Sequence, residues 1–217
     1  MFIHQHPYPP FIPLDATKLI VGTLPPPRFT TGALLERDVN FCYGSCHNSL
    51  WTYIDKVHGL NLRYDNSQEA IDERKKFLID NKIGICDIVE RAMREKIDAS
   101  DLGMKQIVLR DVIAQLICYP NIETLIFTGG NSKNGPEYFF RRHLKTYDIS
   151  LEVVSNEVPR VHRFTLDGRQ IQTVSLTSGS GAANISIGSM PLYKKLKAEN
   201  PEFNTFDFRV MQYSKYL

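Results

Sequence analysis

Apolar residues along this chain occur in short runs that predict buried β-strands. Three runs are nearly continuous and end at turn residues, as expected for parallel strands that are covered on both faces. They occupy residues 18–22, 83–89 and 123–130. Residues 149–154 and 169–177 alternate between apolar and polar side chains and predict two further strands. For residues 83–89, a strand-to-helix corner is the alternative interpretation.

The segments between these runs repeat apolar residues with the spacing of a helix. Leu50, Trp51, Ile54 and Val57 share one face of a predicted helix that begins at Asn48. Helical spacing, or a proline at the first helical turn, also predicts helices over residues 68–82, 105–120, 136–145 and 191–200.

Strands that alternate with helices in this way predict an α/β fold. We expect a three-layer α/β/α sandwich around a central, mostly parallel sheet, formed by residues 1–217 as a single domain. The proline-rich residues 1–16 predict an extended N-terminal arm that packs on this domain. Because ligands bind at the carboxyl ends of strands in such sheets, loops at that edge are the first candidates for a functional site.

Composition limits the partners that this chain is expected to have. A length of 217 residues with 42% hydrophobic content supports one domain with a substantial core. With a net charge of only +2, affinity for nucleic acid has to come from a local basic face. No stretch approaches the ~18 uninterrupted apolar residues that would span a bilayer. We therefore expect a cytoplasmic monomer that does not bind membranes.

Cysteine and histidine content gives little support for a metal site. The four cysteines, Cys42, Cys46, Cys86 and Cys118, are too few and too scattered for a disulfide-stapled secreted protein. A zinc or iron–sulfur site would need the last two to converge on the C-x3-C pair, but their apolar neighbours predict core positions. His4 and His6 lie within the proline-rich arm, where packing is the simpler interpretation. We predict no metal and no cofactor.

Three segments stand out because they are built of small, stiff or hydrogen-bonding residues. They are GTLPPPR (residues 22–28), CYGSCHNSLW (residues 42–51) and LTSGSGAAN (residues 176–184). In this order they resemble the three motifs of the uracil-DNA glycosylase superfamily, nearest to its mismatch-specific and hypoxanthine-type branches. Those motifs have the patterns G-[SN]-x-P-G, Y-[YF]-A-H-P-x-N-x-F-W and L-P-S-x-S-P-A-N. The resemblance covers most of the chain.

This resemblance implies a DNA glycosylase that hydrolyses the N-glycosidic bond of a damaged or mispaired base of uracil or hypoxanthine type. Such an enzyme must flip the nucleotide out of the duplex, because the anomeric carbon is inaccessible within the stack. Its transition state resembles an oxocarbenium sugar with negative charge on the departing base, so preorganised dipoles and a positioned water supply the catalysis. The implied partner is DNA with a deaminated or mismatched base.

Asn48 and Thr23 are the catalytic residues that the resemblance implies. Asn48 matches the motif asparagine, whose carboxamide can hold a nucleophilic water or contact a base edge. Capping of the helix that it opens is an equally good structural interpretation. Thr23 stands where relatives carry serine, asparagine or a carboxylate, and its hydroxyl can only orient water. Pro26, Ser45 and Cys46 are further departures from the family motifs.

Base-binding residues are implied around the same two motifs. Tyr43 matches an aromatic residue that stacks on the extruded base, and Phe41 is a second candidate for this role. Gly22 and Leu24 would line the base site beside them. Tyrosine also fills protein cores, so packing is the alternative for Tyr43. Trp51, on the apolar face of its predicted helix, is expected in the core.

The third motif and nearby cations are implied to contact DNA. Two motif serines lie among small residues, which would let backbone N–H groups approach a phosphate. Two isoleucines follow, of the kind that wedge into a vacated base stack. The implied DNA-binding set is Ser178, Ser180, Gly181, Ala182, Ile185, Ile187, Arg28 and Lys194. An ordinary glycine–serine turn and solvated surface charges are the structural alternatives. The loop carries no histidine, so backbone amides or groups elsewhere would have to stabilise the departing base.

Two other enzyme classes are poorly supported by the sequence. TGGNSKNG is glycine-rich but lacks the order of a phosphate-binding loop, and no G-x-S-x-G elbow surrounds Ser180. The serious alternative is a non-catalytic nucleic-acid or nucleobase-binding protein of the same fold, favoured by Thr23 and by the missing loop histidine. Asp87 ends a predicted strand, where it could face the cleft, cap a following helix or pair with Arg91.

Overall fold

The computed structural model describes residues 1–96 and 101–217, apart from the side chains of Asp101 and Ala182. In this part of the chain, nine strands form two sheets. The strands are β1 (Phe2–Gln5), β2 (Lys18–Gly22), β3 (Ile83–Asp87), β4 (Val89–Arg94), β5 (Met104–Leu109), β6 (Thr124–Phe127), β7 (Glu152–Ser155), β8 (Arg160–Leu166) and β9 (Arg169–Ser175). The α-helices are α1 (Pro27–Thr31), α2 (Leu50–His58), α3 (Gln68–Asp80), α4 (Val112–Cys118), α5 (Pro136–Leu144), α6 (Ala182–Ser189), α7 (Pro191–Glu199) and α8 (Thr205–Tyr213). Short 3-10 helices occupy Asp101–Gly103 and Lys145–Tyr147.

Six strands form the main sheet in the order β3-β2-β6-β9-β8-β7. β3, β2, β6 and β9 are parallel, whereas β8 and β7 pair in antiparallel fashion. The predicted α/β fold with a mostly parallel sheet is therefore confirmed. From β2 the chain passes to β3 on one side and later to β6 on the other, so a topological switch point lies between β2 and β6.

Both faces of this sheet are covered by apolar side chains. Leu19 and Val21 of β2 belong to one buried cluster, whereas Ile20 between them belongs to another. β6 repeats the alternation, with Phe127 in the first cluster and Ile126 in the second. Burial on both faces explains why these strands have nearly continuous apolar sequences.

The N-terminal arm begins with a strand that the sequence pattern did not predict. β1 pairs with β4, and β4 pairs with β5, in a separate three-stranded antiparallel sheet. The single helix predicted over residues 105–120 is wrong, because β5 forms its first part. α4 begins only after Asp111, whose carboxylate accepts a hydrogen bond from the backbone N–H of Ala114 at 2.8 Å.

Two further segments differ from the predictions. The first is β8, which no sequence pattern predicted. It turns into β9 through Asp167 and Gly168, which both have positive φ angles, of 48° and 77°. Asp-Gly is a strong hairpin signal because these residues tolerate the left-handed backbone of such a turn. The third motif is only partly a loop, since α6 begins at Ala182.

The C-terminal segment forms α8 and packs on α2. The side chain of Asn204 caps its first turn, and the ring of Tyr213 lies 4.9 Å from the ring of Tyr53, measured between centroids. None of the helices in the described residues has the length and apolarity needed to cross a bilayer.

Candidate functional site

A cavity of about 800 Å³ opens at the carboxyl ends of the parallel strands. Thr23 follows β2, Asp87 ends β3, Thr128 follows β6 and Ser175 ends β9, and all four residues line the cavity. The cavity therefore lies at the switch point between β2 and β6, where open α/β sheets bind ligands. Its volume is in the range of roughly 300–1,000 Å³ that is typical of small-molecule pockets.

The three sequence motifs meet in this cavity. The predicted site residues that line it are Thr23, Leu24, Tyr43, Asn48, Ser178 and Ser180. The predicted residues outside its lining are Gly22, Phe41, Gly181, Ile185, Ile187, Arg28 and Lys194. Ala182 begins α6, and its side chain lies outside the described part of the chain. Most residues predicted for catalysis and base binding thus share one cavity, whereas most predicted DNA contacts lie outside its lining.

A buried carboxylate lines the cavity at the end of β3. Oδ2 of Asp87 lies 2.9 Å from Nε2 of His6, and the Asp87 side chain is only 6% exposed. The next element is the strand β4, which begins at Val89, so the alternative of a helix cap is excluded. A strand-end aspartate was a recognisable sequence signal. Its histidine partner was not, because 81 residues separate the two.

Gly22 makes room for the groups around Asp87. A Cβ atom at this position would lie 2.2 Å from the Tyr43 hydroxyl and 2.5 Å from Oδ1 of Asp87. Gly22 is therefore required for the close approach of these side chains and is not itself a wall of the cavity.

Tyr43 is fixed by its backbone and by its hydroxyl. It has the left-handed backbone conformation, with a φ of 58°, and its hydroxyl donates a hydrogen bond to the carbonyl oxygen of Cys86 at 3.1 Å. Burial, and then the nearby charge of Asp87, raise the pKa of Tyr43 well above its usual value, so the hydroxyl stays protonated. Stacking of its ring on a base stays a prediction.

Asn48 is exposed at the cavity and also supports the start of α2. Its Oδ1 accepts a hydrogen bond from the backbone N–H of Leu50 at 2.9 Å. The amide nitrogen and the second lone pair of this oxygen are the groups that Asn48 can offer to a ligand. Thr23 is held by its backbone, since its carbonyl oxygen accepts from the N–H of Val89 at 3.0 Å.

Arg209 of α8 holds the third motif in place. Its guanidinium donates hydrogen bonds to the carbonyl oxygens of Ser178 at 2.8 Å and Ser180 at 3.3 Å, and to Oδ1 of Asn184 at 2.8 Å. The hydroxyl oxygens of the two serines lie 3.2 Å apart. No motif pointed to Arg209, because its partners belong to a distant segment.

Arg28 is a structural residue and not the predicted phosphate contact. Its guanidinium donates to both carboxylate oxygens of Asp38, at 2.7 and 2.8 Å, and to Oγ of Ser45 at 2.7 Å. Asp38 is fully buried and also accepts from the backbone N–H groups of Leu35 and Cys46. Burial alone would raise the pKa of Asp38, but these hydrogen bonds hold it well below its usual value. The cluster fastens α1 to the second motif.

Burial also corrects two predicted ligand contacts. Phe41 does not line the cavity and is buried against Phe11 and Trp51, so it cannot stack on a base. Ile187 is fully buried in α6 and cannot wedge into DNA, whereas Ile185 on the same helix is 83% exposed. The predicted core position of Trp51 is confirmed.

Two exposed cations line the cavity where Arg28 and Lys194 do not. Lys133 lies in the loop between β6 and α5, and Arg160 begins β8. Neither forms an ion pair with another of the described residues. Lys194 is exposed on α7. The positive charge available to an anionic ligand at the cavity thus comes from the β6 and β8 side.

A series of side-chain hydrogen bonds behind the cavity wall holds the hydroxyl of Ser175. The Ser175 hydroxyl donates to Oε2 of Glu137 at 2.7 Å, and Oε1 of Glu137 accepts from Nε of Arg141 at 2.7 Å. Nη2 of Arg141 lies 2.9 Å from Nε2 of His162. Burial, and then the charge of Arg141, lower the pKa of His162, so its neutral ring accepts this hydrogen bond. The buried carboxylate of Glu137 is therefore fully engaged.

Within the described residues, no three histidine, cysteine, aspartate or glutamate side chains come together as metal ligands. The four cysteines are free thiols. Cys86 is buried as predicted, but Cys118 is exposed at the end of α4, so its predicted core position is wrong.

The sequence matches no protein-family model, and a search of curated proteins found no significant match.

Proposed function

We propose that this protein is a DNA glycosylase of the uracil-DNA glycosylase superfamily that removes a damaged or mispaired base of uracil or hypoxanthine type. One observation carries the proposal: the three motif segments and the buried carboxylate of Asp87 line a single cavity at the carboxyl edge of the sheet. An extruded nucleotide needs such a concave site, because its N-glycosidic bond cannot be reached within the duplex. Apolar clusters on both faces of the sheet support the three-layer α/β/α arrangement expected for this superfamily.

In this proposal, Asp87 supplies the carboxylate that the first motif lacks. As the bond between the sugar and the base breaks, its electron pair leaves with the base and positive charge develops on the sugar. A recessed carboxylate stabilises that charge and accepts a proton from the water whose oxygen bonds to the anomeric carbon. Thr23, which lines the same cavity, orients this water through its hydroxyl.

The base is held by uncharged groups in this proposal. Asn48 donates from its amide nitrogen to a base carbonyl or to the water, while its oxygen accepts the hydrogen bond from Leu50 that supports α2. Tyr43 and Leu24 form walls of the cavity against which a base ring packs. Uncharged donors suit bases such as uracil and hypoxanthine, which present carbonyl oxygens.

Contacts to DNA come from the cavity rim. Lys133 and Arg160 neutralise phosphates, and Ser178 and Ser180 donate hydrogen bonds to the backbone. Ile185 is the remaining candidate for a wedge, because it is exposed on α6. In this proposal the protein acts without a cofactor, as a cytoplasmic monomer on DNA that contains a deaminated or mismatched base.

A non-catalytic nucleobase-binding or nucleic-acid-binding protein is the second candidate. It is favoured by the engagement of the Asn48 oxygen in the start of α2 and by the uncharged side chain of Thr23. Such a protein would use the same cavity to hold an extruded base without cutting the bond to its sugar.

Excision assays on defined duplexes test the proposal. Duplexes that contain uracil, hypoxanthine or mispaired thymine are incubated with excess protein, and abasic sites are then cleaved with alkali. We expect product from at least one duplex. Asp87→Asn should lower the single-turnover rate by about 100-fold or more, as loss of a general base does. Asp80→Asn, at an exposed ion pair with Lys76, is the matched control. Tight binding with no product from any duplex supports the second candidate instead.

Asn48→Asp separates the two roles of Asn48. The carboxylate still accepts the hydrogen bond from Leu50, so α2 remains supported, but the amide donor is lost. We expect a folded protein, with an unchanged unfolding midpoint, whose excision rate falls by about 100-fold. An unchanged excision rate would show that Asn48 serves the helix alone.

A further inference from the structure

His6 reaches the cavity carboxylate from the N-terminal segment. Its ring is almost fully buried, with 1% of the side chain exposed, and its Nε2 lies 2.9 Å from Oδ2 of Asp87. We propose that His6 is a positioning residue, which as a neutral Nε2–H imidazole donates a hydrogen bond to Oδ2 and fixes the orientation of the Asp87 carboxylate. This inference rests on the proposed function only where it concerns catalysis.

The other ring nitrogen determines the tautomer. The backbone N–H of Tyr8 donates a hydrogen bond to Nδ1 of His6 at 3.1 Å. An atom that accepts a hydrogen bond carries a lone pair, so the ring proton of neutral His6 must be on Nε2. Protonation of Nδ1 would place two N–H donors against each other. The ring therefore meets Asp87 as an uncharged donor.

The backbone around His6 prevents the ring from turning away. The N–H of His6 donates to the carbonyl oxygen of Glu90 at 2.8 Å, directly after the pairing of β1 with β4. Two residues later, the carbonyl oxygen of Tyr8 accepts from Nη2 of Arg110 at 2.6 Å. The segment is thus fastened on both sides of the histidine, and the direction of Nε2 is set by the fold.

A neutral partner preserves the charge of the carboxylate. A cationic histidine would form an ion pair and cancel the negative charge that opposes a developing sugar cation. With one oxygen held by His6, Oδ1 of Asp87 lies on the side of Gly22 and Tyr43, at the end of β2. His6 does not itself line the cavity, so it acts through Asp87.

The tautomer can be measured without any assay of activity. Two-bond proton–nitrogen NMR spectra of the histidine rings, assigned with His6→Gln, report which nitrogen carries the proton. We expect the neutral Nε2–H form of His6 at neutral pH. A ring protonated on both nitrogens, or on Nδ1 alone, overturns the inference. Because this readout needs no substrate, it also decides the inference if wild-type protein excises no base and the proposed function fails.

Kinetics test the positioning role in an active enzyme. His6→Gln can place an amide N–H near the position of Nε2, whereas His6→Ala removes the donor. We expect His6→Ala to lower the single-turnover excision rate at saturating DNA by about 10- to 100-fold, the range for one hydrogen bond to a charged group. His6→Gln should recover most of that loss, with DNA affinity unchanged in both variants. Equal losses in the two folded variants, or a loss confined to affinity, overturn the positioning role.

Discussion

The guanidinium Nε of Arg209 donates a hydrogen bond to the carbonyl oxygen of Ser178 at 2.8 Å, and this contact joins the C-terminal helix α8 to the third motif. The same side chain is 3% exposed and also reaches Ser180 and Asn184. Arg209 therefore holds in place the loop of the third motif, which lines the cavity together with residues at the strand ends. The position of this loop thus depends on a residue outside every motif.

Arg209→Ala should destabilise the protein by about 2–4 kcal/mol, because it removes a buried guanidinium whose hydrogen bonds, donated by a charged group, contribute roughly 1.5–3 kcal/mol each and do not add in full. Urea unfolding followed by circular dichroism measures this loss. Arg163→Ala is the matched control, since Arg163 forms a half-exposed ion pair with Glu152 and such pairs contribute at most about 1 kcal/mol. Equal effects of the two substitutions would contradict the bracing role of Arg209.

The Arg28–Asp38 cluster should make stability depend on pH. The pKa of Asp38 is held well below its usual value in the folded protein, while the unfolded chain has the ordinary value of about 4. Its contribution is therefore complete above about pH 4 and is lost as the pH falls from there toward the lowered pKa. Asp38→Asn removes this contribution.

The measurement is urea unfolding of wild-type protein and Asp38→Asn at several pH values. We expect the variant to be less stable at neutral pH and the difference between the two proteins to shrink below about pH 4. Asp80→Asn, at an exposed pair with Lys76, should show little difference at any pH. A constant difference between wild-type protein and Asp38→Asn across the acid range would rule out the linkage.

The sequence predicted the parts of the fold that follow from local pattern. β2, β3 and β6 are buried on both faces, so their apolar runs identify them without knowledge of the rest of the chain. β4 carries Glu90 and Arg91, which are exposed, and its pairing with β1 brings together segments far apart in sequence. Buried and exposed residues do not alternate regularly along β4, so its sequence has neither of the two patterns that predict strands.

The residues of the candidate site also divide into those that a local sequence pattern predicts and those that it does not. Asn48 and Ser178 were predicted because they belong to motifs with a local signature, and both line the cavity. His6 and Arg209 were not predicted, since each acts on a partner in a distant segment. Arg28 was misinterpreted for a related reason: a cation near a motif resembles a phosphate contact until its buried partner, Asp38, is known.

Lys133 and Arg160 are expected to be the phosphate contacts at the cavity. Each contact to duplex DNA that is lost should reduce the slope of log K against log salt concentration by about 0.9. Lys133→Ala and Arg160→Ala should each show this change in fluorescence-anisotropy titrations across a range of salt concentrations. Lys194→Ala, at an exposed position outside the cavity lining, should leave the slope unchanged. A reduced slope in Lys194→Ala alone would instead place the DNA along α7.

Ile185 and Ile187 lie two positions apart on α6 but are expected to respond oppositely to substitution. Ile187 is fully buried, so Ile187→Ala should lower the free energy of unfolding by about 2–5 kcal/mol. Ile185 is 83% exposed, and Ile185→Ala should change stability by less than about 0.5 kcal/mol.

Ile185→Ala should instead slow excision from duplex DNA, because a wedge is needed only where a neighbouring stack closes on the vacated position. Excision of the same base from single-stranded DNA should be unchanged, which makes the ratio of the two rates the decisive measurement. Ile185→Leu keeps an apolar side chain of equal size and should restore the duplex rate. If Ile185→Ala lowers both rates equally, then Ile185 does not act as a wedge and α6 contacts the strand in another way.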